Sequence, residues 1–327
     1  MKGFTLMKSP RRSVIGAIAI VVALPLLIAP SVNSAAATSG KTAAVKSSYK
    51  LLWKEEFNGK TRAWPNENIW NYDIGNNGGW GNNENEYYTM SNARTDCGAI
   101  TKTVKGKKKT VCTGNGSLVI TANKIPPDSI EADSCANCSF FSARLNTQGK
   151  LGFKYGRIEA RIKMPKGDGT WPALWLLGKN INRVNWPTCG EIDIVEVGTD
   201  PYVANSTIHG PVNFGAGGIT NGGKQVDSPL YEGYHVFRMD WFPTKFVFYL
   251  DGVPHYTLTR SEVTGAAYNG RWVYDQEFFL ILNLAMGGNY VGGTPDPMLK
   301  SAQMKVDYIR YFQIKQGSKT FGKLYRY

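Results

Sequence analysis

The chain has 327 residues, 12% of them aromatic and 36 of them glycine, and a formal net charge of +13. Four of the positive residues, Lys2, Lys8, Arg11 and Arg12, lie in an acid-free N-terminal leader, so the remainder carries about +9. With no recognition motif beside the basic run KTVKGKKKT at 102–110, this argues against a nucleic-acid partner and for a solvated loop. No segment after the leader is long and apolar enough to span a bilayer, so no stable membrane insertion is expected of the rest of the chain.

The leader itself places an apolar run, Val14 to Ala29, between basic residues and the small residues PSVNSAAA, the pattern of a secretory signal over residues 1–36. A retained N-terminal anchor is the alternative, although the run is shorter than the roughly 20 residues a spanning helix needs. Residues 37–50 have no apolar periodicity and read as a linker. Residues 51–316 are even in composition, without internal repeats, and read as one domain of a size that all-β folds reach; residues 317–327 read as a basic C-terminal tail. A secreted chain meets oxidising conditions, where five cysteines allow at most two internal disulfides. Cys97 with Cys112 and Cys135 with Cys138 close the shortest loops and leave Cys189 beside an acidic segment. A zinc site would need a second CxxC or a spaced histidine pair, and the chain offers neither.

Within the domain, strand signals dominate. SLVITA (117–122), GRIEARIKM (156–164), ALWLLG (173–178), EIDIVEV (191–197), HVFRMDWF (235–242), KFVFYLDG (245–252), EFFLILNLAMG (277–287) and MKVDYIRYFQI (304–314) are short, rich in β-branched or aromatic residues, and bounded by turn formers. Only YEGYHVF hints at a helical turn. The pattern predicts two antiparallel sheets packed face to face. GRIEARIKM alternates, with Ile158, Ala160 and Ile162 on the core face and Arg157, Glu159, Arg161 and Lys163 on a wet one. EFFLILNLAMG is almost wholly apolar, so Asn283 is a polar residue in a buried strand and needs partners that a polar groove would supply.

GEIDIVEVG (190–198) puts Glu191, Asp193 and Glu196 within six positions of an otherwise apolar strand. In a regular strand Glu191 and Asp193 share one face and Glu196 falls on the other, among isoleucines. A bulge at Ile194-Val195 would count two residues as one and return Glu196 to the face of Glu191. Brought within the roughly 5 to 5.5 Å of a retaining glycosidase, Glu191 could attack an anomeric carbon and Glu196 could protonate the leaving oxygen, with Asp193 setting their pKa values apart. Exposed acids on a sheet face, or calcium ligands, are the competing readings.

GEIDIVEV, preceded by GTWPALWLLG and followed by STIHG, resembles the active-site region of family 16 glycoside hydrolases, in the bulged form of laminarinase-like endo-β-1,3-glucanases. WKEEFNG, NNGGWGNNENEYYT, NGSLVITA, FFLILNLAMGGNY and MKVDYIRYF extend the resemblance over nearly the whole domain. It implies a β-jelly-roll sandwich with a concave groove for β-glucan. By position it makes Glu191 the nucleophile, Asp193 the assisting acid and Glu196 the acid/base, with His209 near the aspartate. Trp171 and Trp175 match groove tryptophans, whose indoles suit the apolar faces of sugar rings. Trp80, Asn82 and Glu84 are expected to line a further subsite, with Asn283 on the groove floor and Trp186 a weaker candidate. No cofactor is expected for catalysis, but the resemblance implies a structural calcium ion on the backbone carbonyls of Glu56 and Gly116 and on Asp307. Two departures concern specificity: Glu86 stands where the family has glutamine, and Tyr290 where it has tryptophan.

The expectation is therefore a secreted, monomeric, retaining endo-β-1,3-glucanase that also has mixed-linkage β-1,3-1,4-glucan in reach. A β-glucan-binding protein on the same fold would need neither Glu191 nor Glu196. A transglycosylase, or a hydrolase of sulphated galactans, would share the chemistry and differ in acceptor or substrate.

Overall fold

The computed structural model describes residues 47–129, 135–212, 218–220 and 223–327. The expected secretory signal and most of the expected linker lie outside the described residues. The domain is a sandwich of two sheets. One runs, by strand, Val253–Thr259, Lys245–Leu250, His235–Phe242, Gly156–Lys163, Ser301–Gln316, Ser117–Lys124, Phe140–Ser142, Glu86–Tyr88. The other runs Ile219–Thr220, Val203–His209, Glu191–Glu196, Thr170–Gly178, Phe278–Met286, Leu151–Lys154, Lys323–Arg326. Its long central strands place the carboxylate segment between Thr170–Gly178 and Val203–His209. This is the expected jelly-roll sandwich.

Alternation decides which side chains meet between the sheets. Ile158, Ala160 and Ile162 from one sheet, and Leu174, Leu176, Ile192, Leu280, Leu282 and Leu284 from the other, are buried in a single core. Each such aliphatic side chain is worth about 1.5–3 kcal/mol when taken out of water. Phe278–Met286 is buried along its whole length, one face in the core and the other under the groove.

Five local expectations are corrected. Arg157, assigned to the wet face, is buried, and its guanidinium makes a bidentate pair with Asp240 at 2.6 and 2.8 Å. The domain begins before residue 51, because Ser47–Glu55 is a strand paired with Ser301–Gln316. Residues 317–327 are no free tail: Lys319–Phe321 pairs back on the preceding strand, and Lys323–Arg326 adds an edge beside Leu151–Lys154 to the sheet that carries Glu191–Glu196, its half-buried Leu324 and Tyr325 flanked by exposed Lys323 and Arg326. YEGYHVF is a turn running into the strand at His235; among the described residues the short α-helices are Ile181–Val184 and Arg260–Thr264, the latter held by a capping box between Thr259 and Glu262. The run KTVKGKKKT forms an exposed hairpin, Ala99–Val104 with Lys107–Cys112, rather than a loop. The sheets are antiparallel except that Glu86–Tyr88 runs parallel to Phe140–Ser142.

The disulfides are Cys97–Cys112 and Cys135–Cys138, and Cys189 is a buried free thiol. Burial, then the charge of Glu191, pushes that thiol up to about 12, so it is an inert core group. Among the described residues no helix is long and apolar enough to cross a membrane.

Candidate active site

Strand register shows how three acids come to share one place. Against Thr170–Gly178, Leu174 faces Val195 and Trp175 faces Asp193, so Ile194 has no partner; against Val203–His209, Asp193 faces Thr207 and Glu196 faces Asn205. The bulge is therefore at Ile194-Val195, and it returns Glu196 to the face of Glu191 and Asp193. Ile192, Ile194 and Val195 all enter the core. Gly190 turns the chain into this strand at φ +79°, where a Cβ would also press Val273 and the Phe278 ring at 2.9 and 3.0 Å.

Each acid has a different surrounding. Glu191 accepts a hydrogen bond from the indole N–H of Trp186 at 2.6 Å, and lies opposite His209 in the register. Asp193 is 2% exposed, with His209 Nε2 at 3.3 Å from its Oδ2. Burial, then the charges of Glu191 and Glu196, raise the Asp193 carboxyl well above the usual range, and His209 opposes this. Glu196 accepts from the Trp171 indole N–H at 2.9 Å; burial pushes it up to about 7, with the charge of Glu191 adding to the rise. Burial thus favours the protonated form of Glu196, the state that acid catalysis requires. Glu191, Asp193 and His209 offer oxygen and nitrogen atoms within 4.8 Å of one another. His209 is fixed further by Tyr274, whose hydroxyl donates to its carbonyl at 2.7 Å.

The aromatic residues divide into two groups. Trp171 gives its N–H to Glu196 and one face to Tyr290, stacked at 4.9 Å, and the Tyr290 hydroxyl accepts from Asn205 at 2.7 Å. Trp171 thus serves the acid first. Trp175 donates to Asn283 Oδ1 at 2.8 Å, and Asn283 Nδ2 donates to the Tyr88 hydroxyl at 3.2 Å, which answers how the buried asparagine is satisfied. Trp80 and Trp175 flank the Arg144 guanidinium, 4.5 and 4.9 Å from its carbon, and Arg144 pairs with Asp73 at 2.9 Å. Glu84, only 5% exposed, accepts from Asn82 and Tyr88 at 3.3 and 3.4 Å. The loop residues Trp80, Asn82 and Glu84 therefore do join the strand residues Trp175 and Asn283, with Glu84 turned inward.

Sequence reasoning missed Arg144, Tyr88 and Asn205, and underrated Trp186. Tyr88 had a signal in the paired tyrosines; Arg144 had none, since a lone arginine on a short strand carries no period or spacing. Glu56, Gly116 and Asp307 lie away from these acids. The Glu56 carboxylate is taken by Arg310 at 2.8 and 2.9 Å, and one Asp307 oxygen by Arg161 at 2.7 Å.

A two-sheet sandwich bearing two glutamates in different surroundings on one face of a bulged strand, beside aromatic and amide side chains, defines a glycoside hydrolase. The chain belongs to glycosyl hydrolases family 16, whose profile matches residues 100–310. It is 34% identical over 273 residues to a beta-glucanase of Rhodothermus marinus, a match covering 81% of this chain and 85% of that one. It is 36% identical to glucan endo-1,3-beta-glucosidase A1 of Niallia circulans, of which the match spans 38%. The endo-beta-1,3-glucanase of Pyrococcus furiosus has a similar solved structure, with a TM-score of 0.67 at 36% identity, covering 82% of this chain and 96% of that one.

Proposed function

We propose that the protein is a secreted, monomeric, retaining endo-β-1,3-glucanase acting on laminarin-type polymer, with mixed-linkage β-1,3-1,4-glucan as a second substrate. The observation that carries the reading is the bulge at Ile194-Val195, which sets Glu191 and Glu196 on one face with the proton on Glu196. Glu191 attacks the anomeric carbon as the Glu196 carboxylic acid protonates the glycosidic oxygen, so the bond to the leaving chain breaks and a glycosyl ester forms on Glu191. Glu196, now a carboxylate, takes a proton from water, whose oxygen attacks the same carbon and releases Glu191. Two inversions give net retention. Trp186 holds Glu191 in its attacking pose, Trp171 does the same for Glu196, and the Asp193–His209 contact stabilises the assisting acid between them. Trp175, Trp80, Asn82 and Tyr290 offer the stacking and polar surface for sugar rings.

Reducing-sugar release from laminarin, barley mixed-linkage glucan and carrageenan in parallel tests this, with Glu191→Gln as control. Release from laminarin by the wild type alone is expected; laminarin bound but uncut would mean a binding protein, and release from carrageenan a galactanase.

We propose also that a structural calcium ion is held by the carbonyls of Glu56 and Gly116 and by Asp307. The residues fit such an ion. Ser47–Glu55 and Ser117–Lys124 pair along the same edge of Ser301–Gln316, ending opposite Ile309 and near Val306, so Asp307 lies at their junction with Glu56 and Gly116. Asn58 Oδ1 accepts from the Gly116 N–H at 2.9 Å and draws the two segments together. Oxygen donors alone suit a hard cation, whose role here would be to tie three chain segments rather than to act on substrate.

A further inference from the structure

Beneath the groove lies an acid pair that the reaction does not use. Glu86 is fully buried; its Oε2 accepts the Met286 backbone N–H at 2.7 Å, and among the described residues no donor reaches its Oε1. Its carboxyl lies close enough to that of Glu84 for each to act on the other. Both Glu84 oxygens are already acceptors, from Asn82 and from the Tyr88 hydroxyl. Two carboxylates in contact inside a protein cannot both ionise, and an oxygen without a donor is satisfied only if it carries the proton itself. The charged groups around the pair favour the same assignment. Burial raises both carboxyls, but Arg144 opposes the rise at Glu84, whose charge also reaches Glu196, whereas burial followed by the charge of Glu84 drives Glu86 well above the usual range.

Glu84 is also the end of a chain that reaches the groove. The Tyr88 hydroxyl donates to Glu84 and accepts from Asn283 Nδ2, and Asn283 Oδ1 accepts from the Trp175 indole N–H at 2.8 Å. The indole N–H can only donate, which sets the direction of the Asn283 amide and the Tyr88 hydroxyl, so the chain is complete only while Glu84 at its end is free to accept. We propose that Glu86 is a positioning residue: as a neutral carboxylic acid it donates its Oε1 proton to Glu84, and through Tyr88 and Asn283 this fixes the indole of Trp175 in the groove. The role in substrate binding rests on the reading of Trp175 as a β-glucan contact.

The sign of the pH effect follows from a raised folded pKa. The stabilisation is complete below the unfolded value and is lost as pH rises through the folded one, when Glu84 and Glu86 become two buried anions. Steady-state kinetics on laminarin, thermal melting and near-ultraviolet circular dichroism of tryptophan, each from acid to alkaline pH, compare wild type, Glu86→Ala and Glu86→Gln. Loss of the anchoring donor in Glu86→Ala should raise KM about tenfold with a smaller change in kcat. Glu86→Gln, whose amide donor replaces the acid proton, should restore KM. It should also flatten the alkaline rise in KM and the alkaline fall in melting temperature that the wild type shows. Glu86→Gln failing to fold, or behaving like Glu86→Ala, overturns the proposal, as do parallel melting profiles for Glu86→Gln and wild type. A flattened melting profile with an unchanged KM profile and tryptophan dichroism rejects the link to Trp175. Failure of the glucanase reading itself would leave laminarin untouched by the wild type, while melting and dichroism still decide the state of Glu86 and its hold on Trp175.

Discussion

The Trp186 indole nitrogen lies 2.6 Å from Oε2 of Glu191, its N–H donated to the carboxyl proposed to attack. The Trp186 ring is also 5.7 Å from that of His209, so it bridges Glu191 and the partner of Asp193. Trp186 is 42% exposed, which weakens the bond through competition with water. A charge-assisted hydrogen bond of this kind is worth about 1–2 kcal/mol after that discount, or roughly 5- to 30-fold in rate. Trp186→Phe keeps the ring and removes the donor; kcat on laminarin should fall by that factor with KM little changed. A rise in KM alone would mean that Trp186 serves as a sugar platform instead.

Replacing Glu191 by Gln leaves the Trp186 donor facing an amide oxygen and removes the proposed nucleophile. Turnover should fall by at least about 10⁴-fold, since no other group supplies the covalent step. The melting temperature should remain close to that of the wild type, because Glu191 lies at the strand end and does not fill the core. Substantial residual activity in a folded protein would reject the assignment.

The bulge was legible because GEIDIVEV would otherwise put a charged residue among isoleucines, a conflict that only one extra residue resolves. The two sheets were legible from periodicity, and Asn283 announced itself as a polar residue that had to find partners. Arg157 was misread because its partner, Asp240, is 83 positions away, and a strand pattern cannot see across a sheet. The strand Lys323–Arg326 was missed because it is four residues long, with only Leu324 and Tyr325 half-buried between an exposed Lys323 and Arg326, a pattern shared with tails. The hydrogen bonds of Trp171 and Trp186 were invisible in sequence, since a tryptophan's stacking face and its N–H are indistinguishable until neighbours are known.

As the proposed acid, Glu196 would have to be protonated to act, and burial pushes its carboxyl up to about 7. The rate of glycosidic cleavage should therefore fall as pH rises through about that value. The same raised pKa contributes stability that is complete below the ordinary carboxyl range and is lost on rising through about 7. Glu196→Ala should abolish this alkaline limb and cut activity on natural polymer, whose leaving group needs the proton. On an aryl glycoside, azide should restore turnover and give the β-glycosyl azide, because attack on the glycosyl ester needs no base. An α-azide would contradict a double displacement.

Calcium bound by Glu56, Gly116 and Asp307 would act on stability and leave the acids untouched. Chelation should lower the melting temperature by several degrees, with the rate at 25 °C nearly unchanged, and added calcium should restore it by mass action. Asp307→Asn should reduce the response to chelator. An unchanged melting temperature after exhaustive chelation would reject the site.

Arg157 and Asp240 test the packing between adjacent strands rather than the chemistry. The side chains are 10% and 4% exposed, two parallel N–H···O bonds join them, and the Arg157 guanidinium also lies 3.5 Å from the Tyr49 ring centroid. Removing one member strands the other as a buried charge, a loss of about 3–5 kcal/mol. Asp240→Ala should accordingly lower the melting temperature by roughly 10 °C. The double change Arg157→Met with Asp240→Leu should recover most of it, since two apolar side chains ask nothing of the interior that water formerly supplied. A single variant within a degree of the wild type would show that solvent reaches the pair, and that Arg157 belongs to the wet face that its place in GRIEARIKM suggested.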